Sequence, residues 1–323
     1  MGRISVSVLL LVSLGFRAGC CAYSAMQVDD SSESSERSLL NTENCGKRYY
    51  DSEFPVDSRL FEHPWLARFG YKKDETVNYV FQGLLINSRY VLTTVFVTQF
   101  KDMGLLAYVR IGEHNSSTVI DCEQQTPGEE KCAPAVQDIL VDAIIIHPDY
   151  DSFRQVNDVA LVRLRSSANA DGDSVIPICL NRDVDLQSTF LLIASWCGRR
   201  DTGLSTVPKQ YMMKTISPHE CTALLPRHTV SLANGMFCIV FDEKHTQPTA
   251  PALEPNLRGG SGAPIYTVHE GNRIFLIGLL SYGPRYPAKL HEPYVITPIA
   301  PFYSWLLDTM ERDFEQQAYI TAD

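Results

Sequence analysis

A chain of 323 residues, 45% hydrophobic and 20% charged, holds enough apolar side chains for a sizeable core, and its 19 Gly and 18 Pro exclude collagenous or low-complexity structure. Its net charge of −10 at pH 7 excludes nucleic acid and anionic membrane surfaces as electrostatic partners. At the start, Arg3 precedes an apolar stretch from Ile4 to Leu14 and small residues ending at Ala22, the layout of a secretory signal peptide over residues 1–22. The stretch is too short to span a bilayer, so no membrane anchor is expected. Residues 23–44 are rich in Ser, Asp and Glu around Asp29-Asp30-Ser31-Ser32-Glu33 and read as a flexible acidic leader.

From Pro64 onward, short strand-like runs alternate with turns: Val80 to Ile86, Tyr90 to Thr94, Ala107 to Ile111, Ile139 to Ile146, Ala160 to Leu164, Phe190 to Ala194, Ile274 to Ser281 and Tyr294 to Pro298. Many short strands in one long chain predict an all-β barrel or sandwich. Near the end, Phe302, Trp305, Leu306 and Met310 recur at helical spacing and predict a closing amphipathic helix, with 313–323 as a tail. Of nine cysteines, Cys20 and Cys21 fall at the end of the signal peptide. The other seven are disulfide candidates in an oxidising compartment, with one left over. No C-x-x-C pair occurs, and no metal or cofactor is expected.

Four segments then carry chemistry. They are Tyr90-Val91-Leu92-Thr93, Asn157-Asp158-Val159-Ala160-Leu161-Val162-Arg163-Leu164, Gly259-Gly260-Ser261-Gly262-Ala263-Pro264-Ile265 and Ser281-Tyr282-Gly283. In this order, between about residues 45 and 312, they resemble the histidine segment, the triad-aspartate strand, the nucleophile loop and the substrate-pairing strand of chymotrypsin-like serine proteases. The resemblance implies two six-stranded antiparallel β-barrels with a C-terminal α-helix.

The resemblance breaks where the chemistry matters. Where active members read Ala-Ala-His-Cys, this chain reads Thr94-Val95-Phe96-Val97, and a phenyl ring neither takes a proton from serine nor returns it. The degenerate triad is therefore Phe96, Asp158 and Ser261, with no catalytic residue expected. The family's activation aspartate, which receives the new N-terminal amine, is Gly260, and no Ile-Val-Gly-Gly follows a basic residue upstream of Trp65. Pro255 stands where trypsin-like members place the aspartate of the specificity pocket. Backbone N–H groups of Gly259 and Ser261 remain as an oxyanion-hole remnant, and Pro255, Ser281, Tyr282 and Gly283 as a substrate-cleft remnant. Deprived of its imidazole, Asp158 needs other donors, which Ser281, Thr93 and Thr94 are expected to supply. His147 reads as solvent-exposed in a turn and His63 as part of a packed turn.

The resemblance also implies three disulfides: Cys45–Cys179, Cys122–Cys132 and Cys221–Cys238. The bridge beside the catalytic histidine has lost both ends, to Phe81 and Val97, and the bridge flanking the specificity pocket has Leu257 in place of its first cysteine. Cys197 is left either as a buried free thiol or in an intermolecular bridge. The stretch from Asp121-Cys122 through Ile146-His147-Pro148 is similar to arthropod clip-domain proteases and their non-catalytic homologs, although residues 23–44 contain no cysteine and so no clip module. What this implies is a secreted protease homolog of haemolymph-like fluid, regulating an extracellular cascade of innate immunity, of melanisation type. Its partners would be the cascade's proteases or their substrates. Two alternatives stand beside it: an atypical serine endopeptidase with residual activity through Ser261, and a recognition protein that holds a peptide or microbial ligand uncut. Asn115-Ser116-Ser117 is an N-glycosylation acceptor. Glu113 and Asn115 fall in a loop that binds calcium in some relatives, but two oxygen ligands are far short of six, so the loop reads as structural.

Overall fold

The computed structural model describes residues 39–40, 43–49, 56–170, 172–180, 182, 190–199, 203–225, 232, 235–243, 257–269, 272–284 and 291–320. The signal peptide, most of the leader and Pro255 lie outside them. The first barrel closes in the order β1-β2-β3-β8-β7-β4. Its strands are β1 (Leu66–Lys73), β2 (Thr76–Leu85), β3 (Tyr90–Thr93), β4 (Leu105–Ile111), β7 (Gln137–Ile146) and β8 (Ala160–Leu164). In the second, β10 (Leu191–Ser195), β13 (Lys209–Ile216), β14 (Phe237–Phe241), β17 (Tyr294–Pro298), β16 (Arg273–Tyr282) and β15 (Pro264–His269) close through β15–β16 pairing. The short β9 (Cys179–Leu180) adds to β16 in parallel. A β5–β6 hairpin (Cys122–Thr126, Glu129–Cys132) and a two-residue pair, β11–β12 (Gly198–Arg199, Gly203–Leu204), project from the barrels.

Several strands read as continuous apolar runs because they are buried on both faces. In β3, Val91 enters the interior of the first barrel while Leu92 joins the core between barrels, and Leu161 and Val162 divide likewise in β8. The second barrel repeats the pattern, with Ile193 and Ile277 inside and Leu192 and Leu276 at the junction. Period-2 alternation then separates two cores rather than core from solvent. The junction also takes Trp65, Trp196 and Tyr266, so the barrels meet as one packed body.

The closing helix α3 (Tyr303–Ile320) buries Leu306 and Met310 completely against this junction. It continues through Ile320, into the segment expected as a tail over 313–323. Asp313 is ion-paired with Arg163 and accepts a hydrogen bond from Tyr90, which fastens an extra turn to the first barrel. Nor is the end of the leader loose, because Leu40 is buried in the junction core with Leu39 against it. Cys45–Cys179 ties the following segment to β9, Cys122–Cys132 spans the β5–β6 hairpin, and Cys221–Cys238 pins helix α2 (Pro218–Leu224) to β14. Each closed loop is worth ~3–5 kcal/mol. Among the described residues no helix is long and apolar enough to cross a membrane.

Candidate functional site

A short helix, α1 (Val95–Thr98), follows β3 directly and carries Phe96 at the junction of the barrels. Helix starts leave N–H groups without partners. Here the carboxylate of Asp158 supplies them, with Oδ1 accepting from Val95 N at 2.8 Å and Phe96 N at 3.2 Å. Ser281 Oγ donates to the other oxygen, Oδ2. Of the three side chains expected to serve Asp158, Ser281 does. Thr93 Oγ1 donates instead to Gln82 O at 2.9 Å, and Thr94 Oγ1 is buried without a hydrogen-bond partner among the described residues. Two backbone N–H groups already fixed by the helix start take their place.

Asp158 is only 3% exposed, and burial raises its pKa against the lowering effect of these hydrogen bonds. A carboxyl whose folded pKa exceeds its unfolded value of about 3.9 keeps its proton longer in the folded state, so its contribution to stability falls as pH rises through that window. Asp158→Asn is therefore expected to gain stability relative to the parent between about pH 4 and pH 7. Urea midpoints of the two proteins measured at both pH values check this, and a pH-independent difference would refute it.

Phe96 sits in an aromatic cluster. Its ring meets Phe81 edge-on at 5.6 Å and Phe100 at 5.5 Å, Phe81 meets Phe100 at 4.9 Å, and Tyr71 backs both. Val97 is fully buried in the core of the first barrel. Phe81 and Val97, the two residues standing where the family has a disulfide, thus contribute apolar packing. Phe96 itself stays 39% exposed and faces a cleft of about 280 Å³ that Ser261 also lines.

Ser261 lies on a turn pressed against β2 and β3. A Cβ at Gly262, whose φ is +81°, would fall 2.0 Å from Gln82 O and 2.5 Å from Thr93 Oγ1, so only glycine fits. The turn is fixed by Gly260 N to Leu257 O at 2.8 Å, Ala263 N to Gly260 O at 2.8 Å and Gly262 N to Leu280 O at 2.9 Å. Gly259 and Ser261, the oxyanion-hole remnant, line the cleft together with Ser281, Tyr282 and Gly283. No histidine is among the described residues lining it, and no hydrogen bond to Ser261 Oγ is found among them.

Behind the turn, the region around Gly260 holds a neutral network. Gln82, 1% exposed, donates from Nε2 to Ser195 Oγ at 2.7 Å and accepts at Oε1 from Trp196 N at 3.1 Å. Ser195 Oγ is in turn 3.1 Å from where a Cβ of residue 260 would stand. Sequence reasoning missed Gln82, because a glutamine inside the run Val80 to Ile86 looks like an outward-facing strand position.

The remaining candidates are structural. His147 is half-buried rather than exposed, its ring 5.1 Å from Phe302 and 4.8 Å from Trp305, and burial lowers its pKa. The expected turn exists, but the closing helix packs on it. His63, packed against Trp65 and Tyr266, is held down to about 3 by burial. Cys197 is a buried free thiol pushed up to about 12. Asn115 Oδ1 accepts from Ser117 Oγ at 2.7 Å, while Asn115 N and His114 N donate to Asp121 and Arg110 pairs with Glu113. The loop is thus closed by its own hydrogen bonds. Among the described residues one grouping of metal-ligating atoms occurs, Cys122, Glu130 and Cys132, and its two sulfurs are bonded to each other.

Residues 56–306 match the trypsin family model. The chain is 30% identical over 286 residues to CLIP domain-containing serine protease HP8 of Bombyx mori, covering 85% of this chain and 73% of that protein. It is also 30% identical over 290 residues to the Spaetzle-processing enzyme of Drosophila melanogaster, covering 84% and 70%. The crystal structure of the Drosophila Grass clip serine protease of the Toll pathway superposes with a TM-score of 0.72 at 24% identity, covering 86% of this chain and 78% of that one, a likeness of fold.

Proposed function

Because the chain belongs to the trypsin-like serine protease family, with arthropod CLIP-domain proteases as relatives, we propose that it is a member that binds without cutting and regulates an extracellular protease cascade of insect immunity, of melanisation type. The observation that carries this reading is Phe96. On this reading it stands where the family's general base would be; it lines the same cleft as Ser261, and a phenyl ring cannot move a proton. Gly260 supports it, because the aspartate that would answer a cleaved N-terminus is gone and Gln82 and Ser195 fill the region without charge. The partners would be proteases of such a cascade or their substrates, since the relatives include the Spaetzle-processing enzyme and CLIP domain-containing serine proteases.

The test is fluorophosphonate labelling of the secreted protein beside a Ser261→Ala control, with a panel of peptide substrates. The expected result is neither labelling nor turnover, since loss of triad function costs on the order of 10⁴ to 10⁶ in rate. Ser261-dependent labelling would instead establish an atypical serine hydrolase. A reading as a peptide-recognition protein is favoured by one observation, that the cleft remains open beside Ser281, Tyr282 and Gly283.

A further inference from the structure

The acceptor motif Asn115-Ser116-Ser117 sits in a loop whose hydrogen bonds engage every polar group of Asn115 but one. The carboxylate of Asp121, 6% exposed, accepts from His114 N at 3.0 Å, from Asn115 N at 2.9 Å and from Thr118 Oγ1, which closes residues 114–121 into a ring. Asn115 O accepts from Thr118 N at 3.0 Å, and Ser116 N, at 2.9 Å from Thr206 O, fastens the ring to the loop after β12. At the side chain, Asn115 Oδ1 accepts from Ser117 Oγ at 2.7 Å and from Ser117 N at 3.2 Å. Only the carbonyl end of an amide accepts from an N–H, so these bonds fix which end is which and leave Nδ2 on the other side. Among the described residues Nδ2 has no hydrogen-bond partner, and residues 116–120 are all exposed.

The same ring turns two apolar side chains outward. Val119 is 87% exposed and Ile120 46%, and they follow directly on the turn that joins Asn115 to Thr118. The inside of the loop is taken by the Asp121 carboxylate and the N–H groups bonded to it, which leaves no apolar interior for either residue. One exposed apolar side chain is ordinary on a protein surface, but two β-branched neighbours on a loop held in one shape form a patch.

A group attached at Asn115 is placed to cover that patch. The Asn115 O to Thr118 N bond is that of a turn, which brings residues 115 and 118 within about 7 Å, so anything carried on Nδ2 begins close to Val119. A glycan is bulky and solubilising: its sugar rings can lie on the valine and isoleucine while their hydroxyl groups face water. The chain holds no other Asn-x-Ser/Thr, so any N-linked glycan it carries stands here.

We propose that Asn115 carries an N-linked glycan whose inner sugars lie over Val119 and Ile120, so that this loop meets its surroundings as carbohydrate and not as an apolar tip. The donor is an oligosaccharide on a lipid diphosphate. A bond forms between Nδ2 and the anomeric carbon, the bond from that carbon to the diphosphate oxygen breaks, the lipid diphosphate leaves with the electron pair, and Nδ2 gives up one proton. This rests on the extracellular reading above, because the donor is met in the secretory pathway. The test is expression of the full chain in cultured insect cells, with mass spectrometry of the protein in the medium before and after native treatment with a peptide-N-glycosidase. The expected result is a glycan at Asn115, whose removal lengthens retention on a phenyl hydrophobic-interaction column even though the enzyme leaves a carboxylate in its place. Asn115→Gln, which blocks attachment without adding charge, should lengthen retention as well. In the double variant Val119→Ser, Ile120→Ser the lengthening on glycan removal should be lost, with melting curves establishing that both variants are folded. A secreted chain without a glycan would overturn the proposal, as would unchanged retention on removal or a shift as large in the double variant as in the parent. A chain that stays inside the cells with residues 1–22 still attached would sink the extracellular reading and the proposal together, which keeps that failure apart from the others.

Discussion

Gly260→Asp, which rebuilds the activation aspartate of the family, is expected to lower the melting temperature by about 6–20 °C, the equivalent of about 3–5 kcal/mol for an uncompensated buried charge in a domain of this size. Two causes add. A Cβ at residue 260 would stand 2.8 Å from the carbonyl oxygen of Leu257, closer than real side chains approach backbone, and 3.2 Å from Leu280 Cδ2. The carboxylate beyond it would meet the Gln82–Ser195 network, in which the hydroxyl already accepts from the amide. A carbonyl, a hydroxyl and a methyl are the three nearest atoms, so the nearest shell supplies no cation. Gly260→Asn separates the causes, because it repeats the steric contact without the charge. The difference between Asp and Asn should be small at pH 4 and grow as pH rises, since a desolvated carboxyl titrates above its unfolded value and only its ionised form carries the penalty. Melting temperatures of the two variants across that range decide the matter. Equal losses at every pH would mean that the region accommodates a carboxylate and that the network is not its neutral replacement.

That network marks the limit of what the sequence makes legible. The four motif segments meet in the structure, with Phe96, Ser261 and Ser281 to Gly283 lining one cleft and Asp158 bonded to Phe96 N and Ser281 Oγ, because each is a short run whose local geometry follows from its own residues. The sequence also led to an expectation of paired change, at Phe81 with Val97 and at Gly260. What packs around those positions was not legible, since it is assembled from residues distant in sequence. Phe100 comes to Phe96 from the loop after α1, Tyr71 of β1 packs on Phe81 and Phe100, and Gln82 reaches Ser195 across the barrel junction. Strands escaped notice for a related reason. Leu66–Lys73 contains Arg68 and Gly70, which spoil its alternation, yet Arg68 is buried, donating to Tyr79 O and lying 5.2 Å from the Trp196 ring. Lys209–Ile216 carries Met212 and Met213 where β-branched residues would have signalled a strand. In both, tertiary contact overrides a weak local signal. The extension of α3 through Ile320 has the same origin, because the Asp313–Arg163 pair lies outside the apolar periodicity from which the helix was read.

Phe96→His is expected to raise Ser261-dependent fluorophosphonate labelling by about 10² to 10⁴-fold, the range a positioned general base contributes. The support for an imidazole is still in place. Asp158 holds the start of α1 through Val95 N and Phe96 N and is itself fixed by Ser281, so a ring at residue 96 would begin its side chain one hydrogen bond from that carboxylate. Phe81 and Phe100 would flank the imidazole as they flank the phenyl ring, and Ser261 lines the same cleft. Only neutral imidazole accepts the serine proton, so labelling should rise with pH through the ionisation of the new histidine, near 6.5 for an unperturbed ring. Asp158→Asn in the same background should remove most of the gain, because an amide holds the wrong tautomer. If labelling of Phe96→His stays at the level of Ser261→Ala, the missing base is not the sole defect, and the N–H groups of Gly259 and Ser261 are not aimed at a developing oxyanion. If it rises with the stated pH dependence, the chain has kept a serine, its turn and its aspartate in working order, and one aromatic side chain separates the binding protein from the hydrolase.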